Sequence, residues 1–493
     1  MNISNLMNLQ KIFNMRTRNV KDAQLDFLVS AMHHGSFMTT QEILAWMKKQ
    51  NDEIVTNIKQ IPLSELNGWS YRNDRILHNT GKFFSIDGIR IRTNYRDVAE
   101  WDQPIINQPE IGFLGFIVKK YNGVMHFLMQ AKIEPGNLNV VQLSPTLQAT
   151  RSNYTRVHGG KSPNYLEFFN GEKNVTVLVD QLQSEQGARF LHKRNRNIII
   201  EVDENEVIDV KSGFIWVSLG QIKELLRYPN VVNMDTRTVI SCIKFGSYSE
   251  HSLKLLDTVK QLSGIKSERS DSFLYSMLSS SNHLHDIQDI IQWITSLKFK
   301  YELEVKPIGI SEMNNWIFDN NTIYHKDGKY FDVMGCHVEI GNREVVSWDQ
   351  PMIRSAQEGL MGFIVKKING IFHFLVQAKL ESGNFDIIEM APTVQCLTGN
   401  YRKGKNEYTI PYLDQVLNAP KDKIWYSSYQ SEEGGRFFQE QNLNVIVEVG
   451  NEFPVEVEEN YCWMTLNQML SFVTYNNYLN IAARSLLSAI SLY

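Results

Sequence analysis

The chain has 493 residues and is nearly charge-balanced, with 50 Lys and Arg against 54 Asp and Glu and a net charge of −4. Hydrophobic residues make up 43% and charged residues 21%, which is typical of globular proteins and too apolar for a disordered chain. The charge balance provides no bulk attraction to nucleic acid or to anionic membranes, so we expect neither as a partner.

Cysteine usage and the N-terminal sequence indicate the compartment. The four cysteines are far apart and form no Cys-x-x-Cys pair: Cys242, Cys336, Cys396 and Cys462. This pattern predicts free thiols in a reducing compartment rather than a disulfide scaffold or a structural zinc site. The N-terminus lacks a basic segment followed by an apolar core, and the apolar runs are far shorter than a membrane span. We therefore expect a soluble, cytoplasmic protein.

The first half of the chain predicts a helix, a β-rich body and then further helices. Thr39 and Glu42 are spaced as in a capping box, which predicts a helix beginning there. Residues 116–132 predict two strands joined at Asn122-Gly123, because this pair tolerates the two positive φ angles of a tight hairpin. A further strand and two helices are predicted at residues 197–202, 218–227 and 236–243.

The second half repeats the first after a shift of 247 residues. Trp101-Asp102-Gln103-Pro104 returns as Trp348-Asp349-Gln350-Pro351, and the Asn-Gly turn returns at Asn369-Gly370. The corresponding strand and helices are predicted at residues 444–449, 465–472 and 482–488. A repeat this long predicts two similar α+β domains in tandem, residues 1–247 and 248–493, with a boundary near residues 245–263.

The segment after the first hairpin is dense in polar residues. It contains Arg151 and Arg156 together with several hydroxyl groups, and such a set suits a diphosphate because a guanidinium fork binds phosphate oxygens bidentately. A hydrogen-bonded surface loop is the alternative, and the residues leave both open. The sequence has no Gly-x-Gly-x-x-Gly turn, P-loop or His-Glu-x-x-His cluster, so we expect neither a dinucleotide or P-loop site nor a metal site.

Three blocks of the first half carry a resemblance to a known family. They are Trp101-Asp102-Gln103-Pro104, Gln130-Ala131-Lys132-Ile133-Glu134-Pro135-Gly136-Asn137 and Ser144-Pro145-Thr146-Leu147-Gln148-Ala149-Thr150-Arg151-Ser152-Asn153-Tyr154. With these blocks and its duplication, the chain resembles the nucleoside-diphosphate-hexose 2,3-dehydratase family over nearly its full length. The resemblance implies a homodimer whose subunit has two Nudix-like domains, each a mixed sheet flanked by helices with a pocket for a thymidine-diphosphate (dTDP) sugar. The glutamate box of Nudix hydrolases is not visible in either half, in keeping with a scaffold reused without metal chemistry.

The resemblance also implies a reaction, the 2,3-dehydration of dTDP-4-keto-6-deoxy-D-glucose. The C4 ketone acidifies the C3 proton, a base removes it, and the resulting enolate expels the C2 hydroxyl. The enol product tautomerises to a 3,4-diketo-2,6-dideoxy sugar. Such a site needs a base, a donor for the enolate oxygen and an acid for the departing hydroxide. We expect no cofactor, since the reaction involves no net oxidation.

Several residues are candidate ligands of the sugar nucleotide. Trp69 and its repeat Trp316 are candidates for stacking on thymine, with a core tryptophan as the alternative for each. The other first-half candidates are Thr150, Arg151, Ser152, Asn153, Tyr154, Arg156 and Arg189. Those of the second half are Arg354, Gln395, Asn400, Tyr401 and Arg436.

Differences between the halves indicate where catalysis takes place. His158-Gly159-Gly160 has no counterpart in the second half, so we predict that the first repeat catalyses and the second binds the nucleotide sugar. His158 is a candidate acid or base because the pKa of a free imidazole is about 6.5. Tyr154 is the rival candidate, and Glu185 is a third possible catalytic residue.

Two other function classes stay open on the sequence. Duplicated Nudix-like domains could bind a nucleotide sugar without turning it over, which would make the protein a regulator. A Nudix-type pyrophosphatase would need a glutamate cluster and magnesium, and the missing glutamate box argues against it.

Overall fold

The computed structural model describes residues 16–17, 20–35, 37–81, 83–95, 98–150, 162–248, 268–341, 346–397 and 409–491. Within these ranges, most helices and strands of the first half recur in the same order in the second half. Among the described helices, none combines the length and apolar character needed to span a membrane.

The first half places a β-rich body between two pairs of helices. Its helices are α1 (Val20–Ala31), α2 (Thr40–Glu53), α3 (Leu219–Leu225) and α4 (Met234–Ser241). Its strands are β1 (Arg16–Thr17), β2 (Thr56–Ile61), β3 (Trp69–Arg72), β4 (Arg75–His78), β5 (Ser85–Thr93), β6 (Glu100–Asn107), β7 (Phe113–Tyr121), β8 (Val124–Ile133), β9 (Val141–Ser144), β10 (Leu147–Ala149), β11 (Thr176–Ser184), β12 (Arg194–Glu201) and β13 (Phe214–Ser218).

The second half follows the same plan. Its helices are α5 (Glu268–Leu278), α6 (Ile287–Lys300), α7 (Leu413–Leu417), α8 (Leu466–Phe472) and α9 (Ile481–Ser488). Its strands are β14 (Leu303–Ile308), β15 (Trp316–Phe318), β16 (Thr322–His325), β17 (Phe331–Ile340), β18 (Ser347–Ser355), β19 (Gly359–Ile368), β20 (Ile371–Lys379), β21 (Glu389–Ala391), β22 (Val394–Leu397), β23 (Ile424–Ser431), β24 (Gln441–Glu448) and β25 (Tyr461–Thr465).

The local signals in the sequence are confirmed. The Thr39 hydroxyl accepts from the Glu42 amide, and the Glu42 carboxylate accepts from the Thr39 amide, which completes the capping box of α2. Asn122 and Gly123 have φ angles of 50° and 79°, and their repeats at residues 369–370 have 51° and 86°. Both hairpins therefore turn where the Asn-Gly pairs predict. The predicted boundary region lies mostly outside the described residues, which omit 249–267.

Each half contains a large mixed sheet. In the first half β7 pairs with β8 antiparallel and with β12 parallel, β11 and β13 extend the sheet on either side, and β9 and β10 add to it. The second half repeats this arrangement with β19, β20 and β24 at its centre. Mixed sheets flanked by helices confirm the α+β class predicted for the duplicated chain.

The two halves exchange one strand each, which the sequence did not predict. Strand β2 of the first half pairs with β17 of the second, and β14 of the second half pairs with β5 of the first. Two small sheets are thus built from both halves, so residues 1–247 and 248–493 share two sheets and are not separate bodies joined only by a linker. Any site beside these small sheets therefore has access to side chains from both halves.

Two buried arginines also cross between the halves. Arg237 on α4 donates to the carbonyl of Ser431, and its repeat Arg484 on α9 donates to the carbonyl of Ser184 at 2.5 Å. Both guanidinium groups are almost fully buried. Because a buried donor without a partner is costly, each half supplies an acceptor that a buried arginine of the other half needs.

Candidate active site

A cavity of about 410 Å³ lies beside the large sheet of the first half and takes part of its wall from the second half. First-half strands β8 and β10 and the start of α4 contribute Lys132, Glu134, Gln148 and Asp235 among others. The second half contributes Trp348, Asp349, Gln350, Glu433, Gly435 and Arg436. We refer to this space as the first cavity.

One end of the first cavity is aromatic. The Trp69 ring lies 4.8 Å from the Phe84 ring and 5.3 Å from the His78 ring, measured between centroids. The guanidinium of Arg436 lies over Phe84, 4.1 Å from its centroid. The indole N–H of Trp69 donates to the backbone carbonyl of Asp349 at 2.7 Å, so a residue of the second half fixes this ring. Flat apolar rings beside a cation suit a nucleobase next to a phosphate.

A hydrogen-bonded relay orients one carboxylate in the cavity. Glu134 accepts from the Gln148 side chain at 2.8 Å, and Gln148 accepts in turn from the Asn233 side chain at 3.0 Å. Asn233 is the N-cap of α4 and is itself held by the amide of Thr236. The relay uses one carboxylate oxygen of Glu134 and leaves the other for further partners. Because the relay ends at the N-cap of α4, this helix fixes the orientation of the Glu134 carboxylate.

A second carboxylate, Glu185, lies on the same cavity wall. It accepts from the Asn195 side chain at 2.7 Å, and Asn195 accepts from the amide of Gly112 at 3.0 Å. The other oxygen of Glu185 is buried and has no hydrogen-bond partner among the described residues. Burial raises the pKa of Glu185, while the neighbouring charge of Lys193 opposes that rise.

Burial favours the uncharged forms of three further side chains in the cavity, Glu433, Asp235 and Lys193. The pKa of Glu433 is raised to about 8, chiefly by burial and in addition by the negative charge of Glu134. Burial also raises the pKa of Asp235 well above its usual range, again assisted by Glu134. The pKa of Lys193 is lowered to about 8, chiefly by burial. Groups with strongly shifted pKa values that meet in one cavity are typical of acid–base catalysis.

The repeat places a matching arrangement in the second half, called here the second cavity wall. Glu381 accepts from Gln395 at 2.9 Å, and Gln395 accepts from Asn480 at 2.8 Å, as in the first relay. The guanidinium of Arg189 lies 4.1 Å from the centroid of Phe331, as Arg436 does over Phe84.

Three titratable groups of the first cavity have no like-charged counterpart in the second cavity wall. A shift of 247 residues matches Asp235 with Ala482 and Lys193 with Glu440. The same shift matches Gln186 with Glu433, so this carboxylate too is absent from the second wall. The ligand-binding framework is therefore repeated, but the titratable groups differ. The second wall has Glu440, whose pKa burial raises to about 7, where the first cavity has Lys193, and it has no carboxylate at the positions of Asp235 and Glu433.

The candidate residues from the sequence fall into three groups. Trp69, Thr150, Glu185 and Arg436 line the first cavity. Arg189, Trp316 and Gln395 belong to the second cavity wall, and Arg354 lines a smaller neighbouring cavity, where it pairs with Asp332. The other candidates lie outside the described residues: Arg151, Ser152, Asn153, Tyr154, Arg156, His158, Asn400 and Tyr401.

The sequence analysis missed Glu134, Lys193, Asp235 and Glu433 as site residues. Asp235 lies in the first turn of a helix, where an acidic residue is ordinary, and Glu433 follows another glutamate in a polar turn. A comparison of charge between positions 247 residues apart would have found three of the four. Among the described residues, no cluster of three or more His, Cys, Asp or Glu side chains is arranged to hold a metal ion.

Comparisons with known proteins agree with this duplicated arrangement. A family model described as NDP-hexose 2,3-dehydratase matches the chain twice, over residues 40–243 and 287–490. A dTDP-4-dehydro-6-deoxy-alpha-D-glucopyranose 2,3-dehydratase of Saccharopolyspora spinosa is 41% identical over 461 residues, 92% of each chain. Proteins of the same description from Amycolatopsis orientalis and Streptomyces violaceoruber are 36% and 39% identical, over 94% and 90% of this chain and 93% and 96% of their own.

One solved structure, described as an ADP compounds hydrolase, is also similar in part. It covers 33% of this chain and 83% of its own, with 15% identity and a TM-score of 0.22. A similarity at this level carries no argument about the fold.

Proposed function

This chain belongs to the NDP-hexose 2,3-dehydratase family, and from that premise we propose that it is a lyase that dehydrates dTDP-4-keto-6-deoxy-D-glucose. The observation that carries the proposal is the identity of 36–41% with three relatives of that description over at least 90% of the chain. The reaction removes the C3 proton and the C2 hydroxyl as one water and leaves a 3,4-diketo-2,6-dideoxy sugar on the nucleotide.

We propose that Glu134 and Glu433 are the base and the acid of this reaction. The two carboxyls interact, and the charge of Glu134 helps to keep the pKa of Glu433 at about 8. Glu134 is proposed to take the C3 proton, and Glu433, whose pKa of about 8 keeps it protonated near neutral pH, to give its proton to the departing C2 hydroxyl. A carboxyl kept protonated by its environment is a common general acid beside a second carboxyl that acts as the base.

Lys193 is proposed to stabilise the enolate that forms at the C4 oxygen. An ammonium group in a poorly solvated cavity interacts strongly with a developing negative charge, and it is fixed before the reaction begins. The side chain of Lys193 is 6% exposed and is held by the carbonyl of Glu110. Glu185, a catalytic candidate from the sequence, is assigned here to orient and balance the charge of Lys193.

The aromatic end of the first cavity is proposed to receive the thymine base beside Trp69, with Arg436 near the diphosphate. Arg151 and Arg156 remain proposed diphosphate ligands, and Thr150, the last described residue before them, lines the first cavity. Tyr154 and His158 stay proposals as catalytic residues on the same segment.

The second cavity wall is proposed to bind a nucleotide sugar without turnover. It keeps the relay of Gln395 and the stacked pair of Arg189 and Phe331, but it has Ala482 and Glu440 where the first cavity has Asp235 and Lys193. The Nudix-like assignment of the two domains and the homodimer also remain proposals, which rest on the family resemblance.

The test is to incubate the purified protein with dTDP-4-keto-6-deoxy-D-glucose in EDTA and to trap the product with an o-phenylenediamine. We expect a quinoxaline that corresponds to loss of one water, detected by mass spectrometry. Intact substrate together with measurable dTDP binding would contradict the lyase and favour a binding regulator. Release of a nucleoside monophosphate only with magnesium would instead indicate a hydrolase.

A further inference from the structure

We propose that His337 is a positioning residue for nucleotide binding, which acts through Asp349 on residues 67–69 at the aromatic end of the first cavity. The proposal rests on the proposed function in one respect, namely that the nucleotide base lies against Trp69. His337 lies on β17 of the second half and does not line the cavity itself. Its influence on the ligand would therefore be indirect.

Hydrogen bonds connect the partly exposed side chain of His337 with the aromatic end of the first cavity. Nδ1 of His337 lies 2.6 Å from one carboxylate oxygen of Asp349. The other carboxylate oxygen accepts from the amide of Asn67 at 2.7 Å, and the Asp349 carbonyl accepts from the indole of Trp69. Asp349 thus holds both ends of a three-residue segment that carries the proposed stacking ring. The Asp349 side chain is 7% exposed, so these few partners rather than solvent satisfy its carboxylate oxygens.

The repeat forms the same clamp around Trp316, with a different cation. Asp102 accepts from the amide of Asn314 at 2.7 Å and from the indole of Trp316 at 2.6 Å. Its cation is Arg90, which donates through two nitrogens at 2.9 and 2.8 Å. His337 stands at the position of Arg90 after the shift of 247 residues. The clamp is therefore permanently charged beside Trp316 and titratable beside Trp69.

The charged groups that face His337 determine the direction of its titration. They are Asp349 on β18, Glu339 on its own strand, with Nε2 3.4 Å from Oε1, and Lys59 opposite it on β2. The hydrogen bond to Asp349 raises the pKa of His337, and Glu339 adds to that rise. The charged clamp is fully present below the ordinary imidazole pKa and is weakened as the pH rises through the elevated one. Nucleotide affinity should follow the same direction.

The test compares the wild type with His337→Gln and His337→Arg between about pH 6 and pH 9, on either side of the imidazole titration. The readouts are KM, kcat and the inhibition constant of dTDP, which report on the cavity where turnover takes place, together with dTDP calorimetry. His283→Gln is the matched control, because His283 makes an equally short contact with Asp286, at 2.6 Å, and does not line the first cavity.

We expect the wild-type KM and dTDP inhibition constant to rise about fivefold across this pH range, as for loss of one charge-assisted contact. His337→Gln should show the weaker values at every pH, His337→Arg the tighter values at every pH, and His283→Gln should match the wild type. At a given pH, kcat should be the same in all four proteins. Equal constants for His337→Gln and wild type at the lowest pH, or a wild-type slope retained in His337→Arg, would overturn the proposal.

The experiment distinguishes a failure of the proposed function from a failure of the His337 proposal. If no protein turns the sugar over but dTDP still binds, the calorimetric pH dependence of wild type against His337→Arg decides the role of His337 alone. If dTDP does not bind at all, both proposals are contradicted.

Discussion

The amide of Gly136 donates to the carbonyl of Gly434 at 2.7 Å, which joins the two halves directly beside the first cavity. Gly136 lies two residues after Glu134, and Gly434 immediately follows Glu433. This contact therefore sets the spacing of the two carboxyls proposed as base and acid. The repeat forms the same bond between Gly383 and Gly187 at 2.6 Å.

Replacing Gly136 with alanine should destabilise the protein and impair turnover. A Cβ at this position would lie 1.7 Å from the carbonyl oxygen of Phe437, so the backbones of the two halves would have to separate. We expect a loss of about 2–4 kcal/mol in the free energy of unfolding, measured by denaturant titration. Gly341→Ala is the control, because a Cβ there meets only the Val55 carbonyl at 3.9 Å. Equal stability of the two variants would contradict the close contact.

Asp235→Ala gives the first cavity the residue that the second half has at Ala482. Asp235 interacts electrostatically with Glu134 and Glu433, so its loss should disturb the proposed base and acid. We expect kcat to fall about 100-fold, while the dTDP inhibition constant stays within about twofold. Quinoxaline formation followed over time measures kcat. A variant with wild-type kcat would show that turnover does not need Asp235 and would weaken the argument that the first cavity and the second cavity wall differ in function.

Lys193→Gln and Glu440→Gln form a matched pair at equivalent positions of the two halves. Loss of the Lys193 charge should lower kcat about 100-fold or more, because an enolate donor acts only in the transition state. The change at Glu440 should leave kcat unchanged, since we assign turnover to the first cavity. Similar losses of kcat in both variants would instead indicate that the first cavity and the second cavity wall both contribute to the reaction.

The pH dependence of kcat should show an alkaline limb. Glu433 must be protonated to act as the acid, and its pKa is raised to about 8, so kcat should fall as the pH rises through that value. Lys193 loses its charge in the same range, since its pKa is lowered to about 8. This second titration should make the fall of kcat with rising pH steeper. Lys193→Arg should make the limb shallower. A kcat that is constant from neutral pH to well above 8 would exclude Glu433 as the acid.

The same pKa shift gives a stability prediction for Glu433. Its folded-state pKa of about 8 exceeds its ordinary value of 4.5, so the folded protein binds this proton more tightly than the unfolded chain does. The free energy of unfolding should therefore decrease as the pH rises from 4.5 toward 8. Glu433→Gln cannot ionise, and its Tm should decline less than that of the wild type over this range. Parallel Tm curves would contradict the raised pKa.

The sequence predicted the parts of the fold that short-range chemistry determines. The Thr39 capping box and the Asn122-Gly123 turn depend on residues within a few positions of each other, and both were predicted correctly. The pairing of β2 with β17 joins residues about 280 positions apart, and such a pairing leaves no local pattern. The same holds for the cavity. Trp69 and Arg436 were each predicted as ligand-binding residues, but their meeting in one cavity depends on the strand exchange, which the sequence did not predict.

The strand exchange predicts that neither half folds alone. Without its partner, residues 1–247 would lack β14 beside β5 and would leave Arg237 without the Ser431 carbonyl. We expect each half expressed singly to be insoluble or to pair with itself. Co-expression of residues 1–247 with residues 248–493 should instead give a soluble complex with turnover, measured by copurification and quinoxaline formation. A monomeric, cooperatively unfolding first half would contradict this dependence, because a self-contained domain would need no strand from its repeat.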